Sequence, residues 1–179
     1  MHMELDLPKP VETERPKPTR IEASTPGSTM PRPREGDDAI MLAAAREFAP
    51  HCARWDPTSK ADDWVEALYK ARHHWNDGYR LARALEDGSY VEPDAALVEI
   101  LDGAGFTLSR VRDREVRLWV GIVGFDPVHK VGDVVKWPRG QGVVNGIEVE
   151  TARYVIGRDA NTRSGTYVEA ELVEAVDPS

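Results

Sequence analysis

One cysteine, Cys52, stands in 179 residues, so no internal disulfide can form and the fold rests on burial. Long apolar runs are missing too. Nothing approaches the roughly 18 to 20 consecutive hydrophobic residues of a membrane-spanning helix, and the N-terminus lacks the apolar centre of a signal peptide. Positive charge is in deficit, with 23 Lys and Arg against 31 Asp and Glu and a net charge of −8. Phosphate-backbone binding relies on clustered cations and counterion release, so no non-specific nucleic-acid binding is expected. No glycine loop that would cradle a phosphate, no Gly-x-Ser-x-Gly elbow and no paired-carboxylate motif is present, so the chain offers no catalytic set and implies no cofactor. The expected setting is the reducing cytoplasm, or a virion if the gene belongs to a phage.

Hydrophobic residues make up 41% of the chain, enough for a core, and they are distributed unevenly. Residues 1–36 hold seven of the thirteen prolines, and six basic residues balance six acidic ones. Such a segment recovers little of its ordering entropy by itself and is expected to be an extended or disordered arm that adds little to stability. Its few apolar residues, Leu5, Leu7, Val11 and Ile21, are the candidate anchors should the arm order along a partner.

Residues 37–105 read as helical. Asp37 and Asp38 precede an alanine-rich run that is expected to end at Pro50, since proline lacks the N–H a helix interior needs. Ser59 stands before a longer run in which Trp64, Leu68, Ala71 and Trp75 recur at helical spacing. The pattern resumes with Tyr79, Ala82 and Leu85, and Glu92-Pro93-Asp94 opens a last helix through Leu97, Val98, Ile100 and Leu101. Within this part Arg80 and Arg83 can be drawn into a helix-turn-helix, although the connection is long and its second helix acidic. His51-Cys52 and His73-His74 are metal-capable types, but helical neighbours point about 100° apart and the spacing is not that of common zinc sites.

Residues 106–179 read as a β part. Val116, Leu118, Val120 and Ile122 alternate with Glu115, Arg117 and Trp119, which predicts a strand, paired with 106–111 or opening a barrel. From Val131 onward short apolar strands are separated by glycine and proline: Gly132-Asp133 as an entry turn, Pro138 and Gly140 to Gly142 as a reversal. The expected class is therefore α+β, a small helical bundle followed by a small, strongly curved β-barrel at 131–176.

The run from Val131 to Glu148 (VGDVVKWPRGQGVVNGIE), with Glu150, the strand ARYVI and the closing YVEAELVEA, resembles the Tudor-like or KOW-like SH3 barrel of the CarD family and of the RNA-polymerase-interacting segment of transcription-repair coupling factors. The likeness covers about a quarter of the chain. In CarD proteins the barrel comes first and a helical DNA-contacting domain follows; here the barrel is last. The resemblance implies an SH3-like fold whose edge binds a protein, with RNA polymerase as the partner.

Two functional classes follow. One is a non-enzymatic protein-binding or adaptor module, with a transcription-associated regulator as its sharper form. The other is a structural or accessory component of a large assembly such as a phage particle. A third, an enzyme subunit similar to the nitrile hydratase β subunit, shares the helical-then-barrel order with a poorer residue match. For the binding module the candidate contact residues are Trp137 and Arg139 at the turn, Arg153 and Tyr154 on the following strand, and Trp119; the partner is another protein, by edge-strand or turn contact.

Overall fold

The computed structural model describes residues 30–88, 90–159 and 165–176. Helices come first and an antiparallel sheet follows, the α+β order expected from the sequence: α1 (Asp38–Trp55), α2 (Ala61–Lys70), α3 (Gly78–Asp87), α4 (Ala95–Leu101), α5 (Ala104–Val123), then β1 (Val134–Trp137), β2 (Gly140–Glu148), β3 (Arg153–Gly157), β4 (Thr166–Glu169) and β5 (Glu174–Ala175).

In the helical part, the Trp64, Leu68, Ala71, Trp75 stripe is buried throughout, against Phe48, Cys52, Leu81, Leu85, Leu97 and Leu101. The indole of Trp75 donates to the Leu68 carbonyl at 3.0 Å, which lets a polar nitrogen sit in an apolar core. Asp94 caps α4 by accepting from Leu97 N at 2.8 Å. Three local expectations are corrected. Proline does not end α1: Pro50 lies inside it and faces solvent, while buried Ala49 and Cys52 hold the last turns onto the core. The start of α2 falls to Lys60, whose N–H is held by Asp63 at 3.2 Å, because the Ser59 hydroxyl bonds Asp56 instead. Tyr79 is 65% exposed, and Leu81 takes its place in the core.

The largest correction concerns 106–123. Residues read as a strand form the second half of α5, and their burial shows why. Val116 and Val120, four apart, are buried, whereas Leu118 and Ile122 are 58% and 67% exposed. The alternation was apparent only; the buried positions follow a helical period. Earlier in α5, Ala104, Leu108 and Val111 face the bundle, while Val116 and Val120 pack on Ala152 beside the sheet. At about 100° per residue these two stripes lie roughly 130° apart around the helix. One helix thus serves two cores.

The five strands form an open sheet in the order β4-β3-β2-β1-β5, with β4 and β5 as its edges. Its core is Val135, Val144, Tyr154, Ile156, Val168 and Val173. A register shift between Val144 and Gly146 bends β2. The Gly132-Asp133 entry turn is as expected: Gly132 has φ 98°, and Asp133 accepts from Lys130 N at 2.8 Å. Gly142 is needed for space rather than for a left-handed backbone, since a Cβ there would stand 2.3 Å from the Gly157 carbonyl oxygen on β3.

Candidate docking site at the junction of helix and sheet

The polar chemistry of the molecule concentrates where α5 meets the sheet, and an extended segment, Met30 to Arg34, is laid into that junction. Between β2 and β3 a single 3-10 turn (Val149–Thr151) ends at Ala152, whose φ of 49° is left-handed. The Thr151 and Ala152 carbonyls of this turn accept hydrogen bonds from outside it. Ala152 O accepts from Ala170 N at 3.0 Å, tying the turn to the end of β4.

Into this turn Arg32 inserts its guanidinium, the residue as a whole being 6% exposed. Its Nη1 donates to Ala152 O at 3.2 Å and to Glu171 at 3.0 Å, and its Nη2 donates to Thr151 O. Glu169 lies 3.5 Å from Nε, within ion-pair range, yet Nε forms no hydrogen bond within the protein. The Trp119 ring centroid is 5.6 Å from the guanidinium carbon, and the Trp119 indole donates to Met30 O at 3.0 Å. Two carboxylates, two carbonyls and an aromatic face make a socket with the chemistry of an arginine.

A second layer of ion pairs continues the junction. Arg112 of α5 binds Glu35 at 3.0 Å and Asp113 at 2.7 Å, and Asp113 also receives Arg153 of β3 at 3.2 Å. Burial raises the Asp113 carboxyl, but the Arg112 and Arg153 guanidiniums outweigh it and hold the acid below its ordinary value.

The candidate contact residues scatter. Trp119 belongs to the socket. Arg153 is turned inward to Asp113 with its side chain 13% exposed, and Tyr154 is fully buried, its ring against Phe125 and His129 and its hydroxyl accepting from His129 N at 3.2 Å. Both are corrected from surface contacts to supports of the sheet. Trp137 is half-buried against the β core with an unbonded indole N–H, and Arg139 is exposed at the turn; neither reaches the junction. Leu5, Leu7, Val11 and Ile21 lie outside the described residues. Sequence reasoning missed Arg32, Glu169 and Glu171. A helical reading of 104–123 would have set Arg112 and Trp119, seven residues apart, on one face of the helix with Asp113 next to Arg112, and so pointed to the junction.

Other chemistry is sparse. Burial pushes the Cys52 thiol up to about 12, so it is inert as a nucleophile. Among the described residues no group of three His, Cys, Asp or Glu could hold a metal ion, and no helix is long and apolar enough to cross a membrane. A recess of about 50 Å³ lined by Ser59, Asp63, Trp64, Ala67, Tyr90 and Val91 is far smaller than the roughly 300 to 1,000 Å³ of small-molecule pockets. No protein-family model, curated protein or solved structure matches this chain.

Proposed function

We propose that the protein is a non-enzymatic binding or adaptor module that takes up another polypeptide along the sheet edge and the adjoining junction. The observation that carries this reading is the outer edge of β4. Within the described sheet β4 pairs with β3 alone, its Tyr167 is 61% exposed, and its last residue, Glu169, borders the socket that already holds an extended segment. Unpaired main-chain groups beside an exposed aromatic are what strand addition uses.

The finer reading is an SH3-like module of the CarD kind that contacts bacterial RNA polymerase. Its support is the resemblance of 131–175 together with a strand order in which the short last strand returns to β1 after a 3-10 turn (Ala170–Leu172). Photo-crosslinking from Tyr167, with Tyr79 on the helical face as control, tests the binding reading in extract of the source cells. A protein adduct at Tyr167 alone is expected. No adduct, or the same adducts from both positions, removes the reading.

A further inference from the structure

We propose that the junction socket is a recognition site for an arginine presented by a proline-flanked, extended segment of a partner polypeptide, and that Arg32 is the plug that fills it in the free protein. The proposal rests on the binding reading above and names the chemistry of its ligand.

All recognising groups come from outside the arm. The carbonyls of Thr151 and Ala152, the carboxylates of Glu169 and Glu171 and the indole of Trp119 converge on one guanidinium. Without a cation, Glu169 and Glu171 stand together at the rim and the Thr151 carbonyl loses its Arg32 donor, so the site favours a positive guest. The glutamates keep 37% and 45% of their side chains in solvent, so the rim is open to an incoming chain.

The resident segment engages it as a linear motif would. Met30 is 45% exposed, Pro31 is exposed and Pro33 is half-buried, while Arg32 between them is 6% exposed. Flanking prolines hold such a segment extended and lower the entropy lost on docking. The resident fit is also incomplete. Arg32 Nε is buried with no hydrogen bond made, a deficit that weakens the plug and that a guest with a freely adjustable backbone can repair. The same pattern of a basic residue between two prolines recurs at 8–10 and 16–18 with lysine in the middle. Lysine lacks the planar fork that two carbonyls and two carboxylates address together, so the arginine copy is the one suited to this socket.

The test uses the full chain with Arg32→Ala and a fluorescent peptide of residues 28–36, followed by anisotropy. Saturable one-to-one binding is expected, about tenfold or more tighter than to the unmodified chain, whose plug keeps the competent fraction low. A peptide with lysine at the central position should bind about tenfold more weakly. If Arg32→Ala does not fold, Arg32→Lys serves with the same expectations. A folded variant that ignores the peptide, a peptide that binds both chains equally, or failure of both variants to fold would make Arg32 a permanent clasp and overturn the proposal. A mixed dimer of variant and unmodified chain at micromolar concentration would reassign the occupant to a second copy and overturn it too. The Tyr167 crosslink does not depend on the socket, so its survival without peptide binding leaves the edge reading standing and removes this one.

Discussion

The helical part and the sheet are held together by different means. Among the described residues the bundle buries a contiguous cluster of twenty hydrophobic side chains, including two tryptophans and a phenylalanine, whereas the sheet's own cluster has six. A core of the second size contributes little by itself. The sheet leans instead on its neighbour, through Val116 and Val120 against Ala152 and through the Arg32, Glu35, Arg112, Asp113 and Arg153 ion pairs. Apolar area stabilises the first region; polar stitching to α5 stabilises the second.

Breaking the bundle should be the most damaging change. Trp75→Ala removes a fully buried ring that packs on Phe48 and should destabilise by about 3 to 5 kcal/mol. Denaturant unfolding followed by far-ultraviolet circular dichroism should show the helical transition moving to lower concentration. A shift below about 1 kcal/mol would mean that the bundle does not depend on this cluster.

Arg32→Ala strikes the other region. It leaves the Thr151 carbonyl without its Arg32 donor and the Ala152 carbonyl with Ala170 N–H alone, and should lower the stability of the sheet by about 1 to 3 kcal/mol while the helical transition holds. Deleting residues 1–36 takes Arg32 and Glu35 together and should lower the melting temperature by more than deleting 1–29. That replaces the expectation that the whole arm adds little. Equal effects of the two deletions would contradict a docked Arg32.

Acid should open the junction next. The folded-state acidity of Asp113 is displaced below its ordinary value, so its contribution is fully present above about 4 and is lost as pH falls through the folded value. Glu47 behaves in the same direction, its carboxylate held down by hydrogen bonds from Arg114 and Arg110. Stability measured against pH should therefore fall on the acid side, and Asp113→Asn should flatten the part of that fall that belongs to the sheet. An unchanged profile in the variant would exclude Asp113 as its source.

The smallest effect is expected at Trp137. Its ring packs on the β core while its N–H is buried and unbonded, so Trp137→Phe discards an unsatisfied donor along with some area and should alter stability by no more than about 1 kcal/mol. Fluorescence-detected melting would check it. A loss of 3 kcal/mol or more would reveal a donor contact at the indole.

Much of this organisation was legible beforehand. The buried positions Trp64, Leu68, Ala71 and Trp75, the Asp94 cap and the Gly132-Asp133 turn are local patterns that survive folding, although the helix read through to Trp75 ends at Lys70 and Arg72–His74 form a 3-10 turn. What misled was a competition between periods. Val116, Leu118, Val120 and Ile122 fit a strand, yet α5 runs on past the bundle and leaves two of the four in solvent. Pro50 misled for a related reason, since packing of Ala49 and Cys52 outweighs the missing N–H. The docked arginine was illegible because its acceptors are main-chain carbonyls about 120 residues away, set by a left-handed alanine that no composition rule announces.

The two stripes of α5 carry one more implication. Because bundle and sheet read the same helix at different angles, the residues between Val111 and Val116 act as an index that sets the azimuth of one body against the other. An insertion of one residue there would turn the sheet by about 100° and draw Asp113 and Trp119 out of line with the arm, whereas seven would restore the bearing to within about 20° while moving the sheet about 10 Å along the axis. Chain length in this short stretch is therefore a quantised angular coordinate, and homologues that keep the junction should vary it by whole heptads or not at all.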